Sequence, residues 1–167
     1  YGLLILSLAL SLLIMVIKTT QLKRKIGFQL HSLESAAAEI IKIQVESEST
    51  FQHIPGQFAF LTLSKKWFSG EPHPFTIASI SNDQRRLTFY IKRSGDWTAA
   101  IDTAEQYRAT LLGPYGQFSH LTKRPSQTSE QPSELVFLAG GVGITPVLAM
   151  LNHMGTQKMQ PSIRLVW

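Results

Sequence analysis

The chain has 167 residues and a net charge of +5, from 16 Lys and Arg against 11 Asp and Glu, enough for one domain of ordinary size and part of a second. It contains no cysteine, which excludes disulfides, iron–sulfur clusters and thiolate zinc sites within it. Much of the positive excess is local: Lys18, Lys23, Arg24 and Lys25 directly follow an apolar segment, which favours a membrane surface over nucleic acid as the partner.

Residues 1–17 are apolar apart from Gly2, Ser7 and Ser11. As a helix they would span about 25 Å. With the basic cluster after the run rather than before it, the pattern is that of the cytoplasmic end of a membrane span, not of a signal peptide. Residues 1–18 are therefore expected to be part of a transmembrane helix, and everything beyond to be cytoplasmic. The plainer alternative is a buried soluble helix. The first residue is Tyr1 and the last is Trp167, inside an apolar run, so both ends read as cut.

Residues 19–39 read as a juxtamembrane connection with scattered apolar residues. Residues 40–46 alternate, with Ile41, Ile43 and Val45 on one face and Lys42, Gln44 and Glu46 on the other, as a half-buried strand does. The Pro55-Gly56 pair marks a turn, and residues 58–63 form the next strand. A loop at 69–72 leads to His73-Pro74-Phe75-Thr76-Ile77-Ala78-Ser79. Pro74 fixes its own φ and biases His73 toward extended geometry, giving a strand with a rigid start and a hydroxyl at a defined place. Further strands are expected at 87–92 and 107–112, with a short helix over 99–104 between them. Short strands at this spacing point to an antiparallel barrel over 40–119.

Residues 120–134 are rich in Pro, Ser, Gln and Thr, as a linker or insertion is. Residues 135–139 then read as a buried strand, followed by Gly140-Gly141-Val142-Gly143-Ile144-Thr145-Pro146, a helix and a strand from Ile163. That order starts a parallel-sheet α/β nucleotide-binding domain over 135–167.

Three pieces bear on chemistry. Glycines after a strand let backbone N–H groups approach a phosphate, although Gly140–Pro146 lacks the G-x-G-x-x-G spacing and the lysine of a P-loop. Thr76 offers a hydroxyl to the edge of a flat ring. Lys92 and Arg93 offer charge, and Gly95 with the turn at Trp97-Thr98 offers N–H groups, to a diphosphate. Each piece has an ordinary structural reading: a tight turn, a satisfied barrel threonine, a solvated lysine, a core tryptophan. No metal-ligand spacing is visible, and His31, His53, His120 and His153 form no helical pair.

His73-Pro74-Phe75-Thr76, then Tyr90-Ile91-Lys92 through Gly95-Asp96-Trp97-Thr98, then Gly113-Pro114-Tyr115-Gly116, then Leu138-Ala139-Gly140-Gly141-Val142-Gly143-Ile144-Thr145-Pro146 occur in that order. From about residue 40 onward the chain resembles the membrane ferric reductase and NADPH oxidase family, within the ferredoxin reductase-like superfamily. The resemblance implies that His73, Pro74, Phe75 and Thr76 line the FAD isoalloxazine, with Thr76 catalytic at its reactive edge. It places Ile91, Lys92, Gly95, Trp97 and Thr98 along the FAD diphosphate. Gly140, Gly141, Val142, Gly143, Ile144, Thr145 and Pro146 would cradle NAD(P)H, and Gly113–Gly116 would lie near the cleft between the domains. The implied activity passes electrons from NAD(P)H through FAD to haem, expected only in upstream membrane helices, and on to an unidentified acceptor such as ferric iron or oxygen. The implied partners are membrane lipid and NAD(P)H, not nucleic acid. A cofactor-free membrane-anchored module and a soluble oxygenase-type reductase are the alternatives.

Overall fold

The computed structural model describes residues 11, 26–65, 70–119, 134–156 and 161–167. Nine strands are assigned among them: β1 Ile26–Ala37, β2 Ile40–Glu46, β3 Phe58–Ser64, β4 His73–Thr76, β5 Ser79–Ile80, β6 Arg86–Lys92, β7 Arg108–Tyr115, β8 Glu134–Leu138 and β9 Ser162–Val166. The helices are α1 Asp96–Ala99 and α2 Thr145–Thr156, the latter entered through a 3-10 turn at Gly141–Ile144. The transmembrane helix expected at 1–18 and most of the expected linker lie outside the described residues. No helix among the described residues is long and apolar enough to cross a membrane.

Seven strands make one antiparallel sheet in the order β4-β3-β7-β1-β2-β6-β5. Its centre follows from alternation. Ile41, Ile43 and Val45 face Ile91, Phe89 and Leu87 across the β2–β6 register. All six are at most 1% exposed. Ala59, Leu61 and Leu63 of β3 and Ala109 and Leu111 of β7 extend the same core. On the opposite face Ser32 donates to Gln44 Oε1 at 3.0 Å and Gln44 donates to Thr88 Oγ1 at 3.2 Å, linking three strands.

The sheet is curled, and one segment brings its edges together. β4 pairs with β3 at one edge, while β5 pairs with β6 at the other. Only Ile77 and Ala78 separate them in sequence, and two residues span no more than about 7 Å. Ile77 N–H donates to Gln57 O at 3.0 Å and Ala78 N–H to Thr88 O at 2.9 Å. The segment thus changes partner between adjacent residues.

Residues 26–37, expected as a connection, are instead the strand β1. The reason is a bulge. Leu30 pairs with Val45 and Leu33 with Ile43, with a register shift between Leu30 and Ser32. Two residues three apart therefore both pack on the core, and period-two alternation is lost from the sequence. The helix expected at 99–104 is shorter and earlier, at Asp96–Ala99. Beyond it, Asp102 Oδ1 accepts from Ala104 N–H at 2.9 Å, which builds a turn in place of helix. β7 runs past the expected end to Tyr115, through Gly113 and Pro114. A register shift between Phe58 and Phe60 of β3 lies opposite them, so the missing Pro114 N–H leaves no regular ladder position unfilled.

The expected βαβ order is present, with β8 and β9 parallel and Leu138 level with Val166, but β8, expected to be buried, is partly exposed, with Val136 65% and Leu138 82% exposed. α2 turns Val147, Ala149, Met150 and Met154 inward.

Candidate functional site

The closing segment places four side chains in two sets. His73 and Phe75 are opposite Leu61 and Ala59, and Pro74 and Thr76 are opposite Phe60 and Phe58. Paired residues share a sheet face, so His73 and Phe75 lie on the face of the buried Leu61 and Ala59. There the His73 imidazole stacks on Trp97, with ring centroids 4.1 Å apart and planes 29° apart. Phe75 stacks on the same indole at 5.9 Å and 25°. His73 Nε2 is buried and makes no hydrogen bond within the described structure. Its carboxylate neighbour, Glu71 Oε2, is 3.6 Å away, too far for one. On the other face Phe58, Phe60 and Tyr115 form an aromatic cluster with centroids 5.6–5.9 Å apart, and Thr76 sits beside it, half-buried.

Trp97 is carried to His73 by the loop after β6. Gly95 is the N-cap of α1, and Thr98 ties the loop together. Its Oγ1 accepts from Ser94 N–H at 3.1 Å and from Gly95 N–H at 3.0 Å, and it donates to Gly95 O at 3.0 Å. Gly95 N–H, expected to serve a phosphate, is thereby engaged within its own turn. Thr98 shapes the loop that holds Trp97. Ile91, 1% exposed, belongs to the core under this loop. Lys92 is exposed at the start of the loop, with Nζ 3.4 Å from Glu39 Oε2.

The glycine turn leaves the C-terminal end of β8. Gly141 has φ +52°, and a Cβ added to Gly140, Gly141 or Gly143 would have no neighbour within 4 Å. The turn is internally pinned by Gly143 N–H on Gly140 O at 2.9 Å and Thr145 Oγ1 on Val142 O at 2.9 Å. Val142 and Ile144 are half-buried, Thr145 is buried, and Pro146 begins the helix at its second residue. The turn comes within 8 Å (Cα–Cα) of β6 and α2 within 8 Å of β5. The second unit therefore packs beside the closing segment.

None of the sequence-predicted site residues lines either of two clefts in the structure, of about 700 and 1090 Å³. The first lies between the turns of the curled sheet at 51–57 and 79–84 and α2, where His53 and His153 are its ionisable lining residues. Burial, and secondarily His153, push the His53 imidazole down from 6.5 to about 4. A histidine held below its unfolded value stabilises the fold above that value, and the contribution is lost as pH falls from about 6.5 through about 4. The full effect is on the order of 3 kcal/mol. Urea unfolding at pH 7.5 and 4.5 is expected to show most of this loss in the wild type and a smaller loss in His53→Gln; equal losses would refute the assignment.

Some contributors carry no sequence signal of their own. Gln57 accepts from Ile77 N–H through its carbonyl and from Ile54 N–H through Oε1 at 2.8 Å, and donates to Gly116 O at 3.0 Å. It anchors the closing segment to the turns on either side; the adjacent Pro55-Gly56 turn was the available clue. Glu39 meets Lys92 only because β2 and β6 are neighbours.

Residues 25–119 match the FAD-binding domain family model. Ferric reduction oxidase 4 of Arabidopsis thaliana is 30% identical over 122 residues, covering 69% of this chain and 15% of that protein. Dual oxidase 2 of Rattus norvegicus is 26% identical over 164 residues, covering 87% of this chain and 10% of that protein. A probable ferric reductase transmembrane component of Candida albicans is 26% identical over 138 residues, covering 77% and 19%. The chain thus spans 10–19% of the length of these relatives. Among solved structures, the ferredoxin reductase in carbazole 1,9a-dioxygenase aligns with a TM-score of 0.66 at 19% identity, covering 84% of this chain and 41% of that one. The cytochrome b5 reductase domain of Ulva prolifera nitrate reductase aligns with a TM-score of 0.63 at 16% identity, covering 86% and 62%.

Proposed function

This chain belongs to the FAD-binding domain family, and from that premise we propose that it is the flavin- and nicotinamide-binding part of a membrane oxidoreductase, which passes electrons from NAD(P)H via FAD toward transmembrane haem and an acceptor such as ferric iron or oxygen. The observation that carries the flavin site is His73: a ring stacked on Trp97, with a buried Nε2 that lacks a hydrogen-bond partner in the described structure. A buried polar atom without a partner costs about 1–3 kcal/mol, and a ligand that hydrogen-bonds it removes that cost. The residues present fit FAD in this respect.

His73, Phe75 and Trp97 supply flat surface for a ring system, and Lys92 supplies positive charge for a diphosphate. Thr76 lies on the other face of the edge strand β4, so its hydroxyl would reach a ring edge from beyond the strand and not from within the stack of His73, Phe75 and Trp97. The open glycine turn supplies backbone N–H groups for the phosphates of the nicotinamide nucleotide. FAD, when bound, supplies the capacity to accept a hydride from a nicotinamide and to release electrons singly. The chain's task is then to hold the two cofactors in register and to keep water out. Attachment to a membrane through residues 1–18, with the flavin-binding part on the cytoplasmic side, is supported by the apolar run, the basic cluster after it and the membrane relatives.

Thr76→Val tests this reading. In purified protein supplied with FAD, flavin reduction by NAD(P)H is expected to slow by about ten- to a hundred-fold, as on loss of one oriented donor. Thermal stability is expected to stay within about 1 kcal/mol of wild type. An unchanged rate would make Thr76 a structural residue, and wild-type protein that takes up no FAD would overturn the proposal.

A further inference from the structure

Trp167 lies immediately beyond β9, level with the end of β8, and so at the C-terminal ends of the two parallel strands. Open α/β sheets bind ligands at that end. The indole is 74% exposed in this structure. It is held by one polar contact: Nε1–H donates to Gly141 O at 3.1 Å. Gly141 is the residue of the glycine turn in the left-handed region, at φ +52°. A second tie, Ala139 N–H to Val166 O at 2.9 Å, joins the same two chain segments one step earlier.

We propose that Trp167 is a positioning residue for the nucleotide phosphates, acting by holding the carbonyl of Gly141 and with it the N–H groups of the glycine turn. This rests on the reading of that turn as the NAD(P)H site. The two bonds that pin the turn, Gly143 N–H to Gly140 O and Thr145 Oγ1 to Val142 O, engage the peptides on either side of Gly141–Val142 and not that peptide itself, and Gly141 carries no side chain to restrict it. The first N–H groups of the 3-10 turn have no partner within it, and they serve an anion only when aimed together. A peptide group whose carbonyl is pinned on one side presents the N–H of the next residue, Val142, on the other, because the peptide unit is planar. The indole therefore orders the cradle before the ligand arrives, which lowers the entropy cost of binding.

The test compares Trp167→Phe, which keeps a ring but loses the donor, with Trp167→Ala, in the intact FAD-loaded protein. ADP-ribose and NADPH are the probes. Both variants are expected to bind each about five-fold more weakly, as for one neutral hydrogen bond. FAD content and the limiting rate of flavin reduction at saturating NADPH should stay within about two-fold of wild type, because Trp167 is assigned to the ground-state site and not to the reaction. Without nucleotide, amide exchange at residues 140–144 should quicken in Trp167→Phe. Wild-type affinity and exchange in Trp167→Phe would overturn the proposal, whatever Trp167→Ala does. Wild-type protein that binds neither probe would overturn both this assignment and the reading it rests on.

Discussion

Gly141→Val is expected to slow reduction of the bound flavin by NAD(P)H by about a hundred-fold or more, while leaving FAD content and reduction by dithionite unchanged. Two physical effects add. Gly141 has φ +52°, a region that β-branched residues avoid, so the turn must leave its present shape. The added methyl groups would also fill space that is now open, since a Cβ there meets nothing within 4 Å. Because a Cβ there meets nothing within 4 Å, the change acts on the shape and access of the turn and not on the packing of the domain. Gly155→Val is the control, because Gly155 is equally uncrowded but lies in the last turn of α2. Stopped-flow flavin bleaching distinguishes the two. Normal bleaching by NAD(P)H in Gly141→Val would remove the glycine turn from the nucleotide site.

Phe89→Ala is expected to cost about 3–5 kcal/mol, enough to leave much of the protein unfolded near 37 °C if its stability is of the usual size, about 5–15 kcal/mol. Phe89 is fully buried and pairs with Ile43 at the middle of the β2–β6 register. Ile43 is itself fully buried, and both flanking pairs on that face, Ile41 with Ile91 and Val45 with Leu87, are at most 1% exposed. The facing strand β2 is held between β1 and β6 and is not free to collapse into the space, so the cavity term is expected near the upper end of its range. Urea midpoints measured without and with excess FAD check this, and added flavin should recover part of the loss by mass action. A loss below about 1 kcal/mol would mean that the core refills.

Legibility varied with how local each cause is. β2 was readable at both ends, because Ile41, Ile43 and Val45 alternate with polar residues and the strand has one buried face. The β8–turn–α2–β9 order was readable because glycines, a proline at the helix start and two apolar runs punctuate it. β1 was not, since the bulge after Leu30 puts its core residues out of phase. α1 was misplaced by a few residues because its start depends on Thr98 Oγ1 gathering two N–H groups, a choice that propensity does not register. At the site, each motif was visible as a motif. That Trp97 stacks on His73 while packing against the core, that Gly95 N–H is already engaged, and that Glu39 holds Lys92 were not.

From sequence alone came most of the strands other than β1, several of the turns, and the presence of a rigid His-Pro-Phe-Thr stretch and a glycine turn. Each of these depends on neighbours within a few residues: a two-residue period, a proline φ, a missing Cβ. The tertiary structure alone decided which side chains meet. His73 and Trp97 are 24 positions apart and touch because the segment from His73 to Ile80 changes partner between Ile77 and Ala78, closing the curled sheet. Trp167 reaches Gly141 across 26 positions because β8 and β9 run parallel and end level. Contacts of that kind depend on how the sheets curl and which strands pair, and no window of sequence contains both partners.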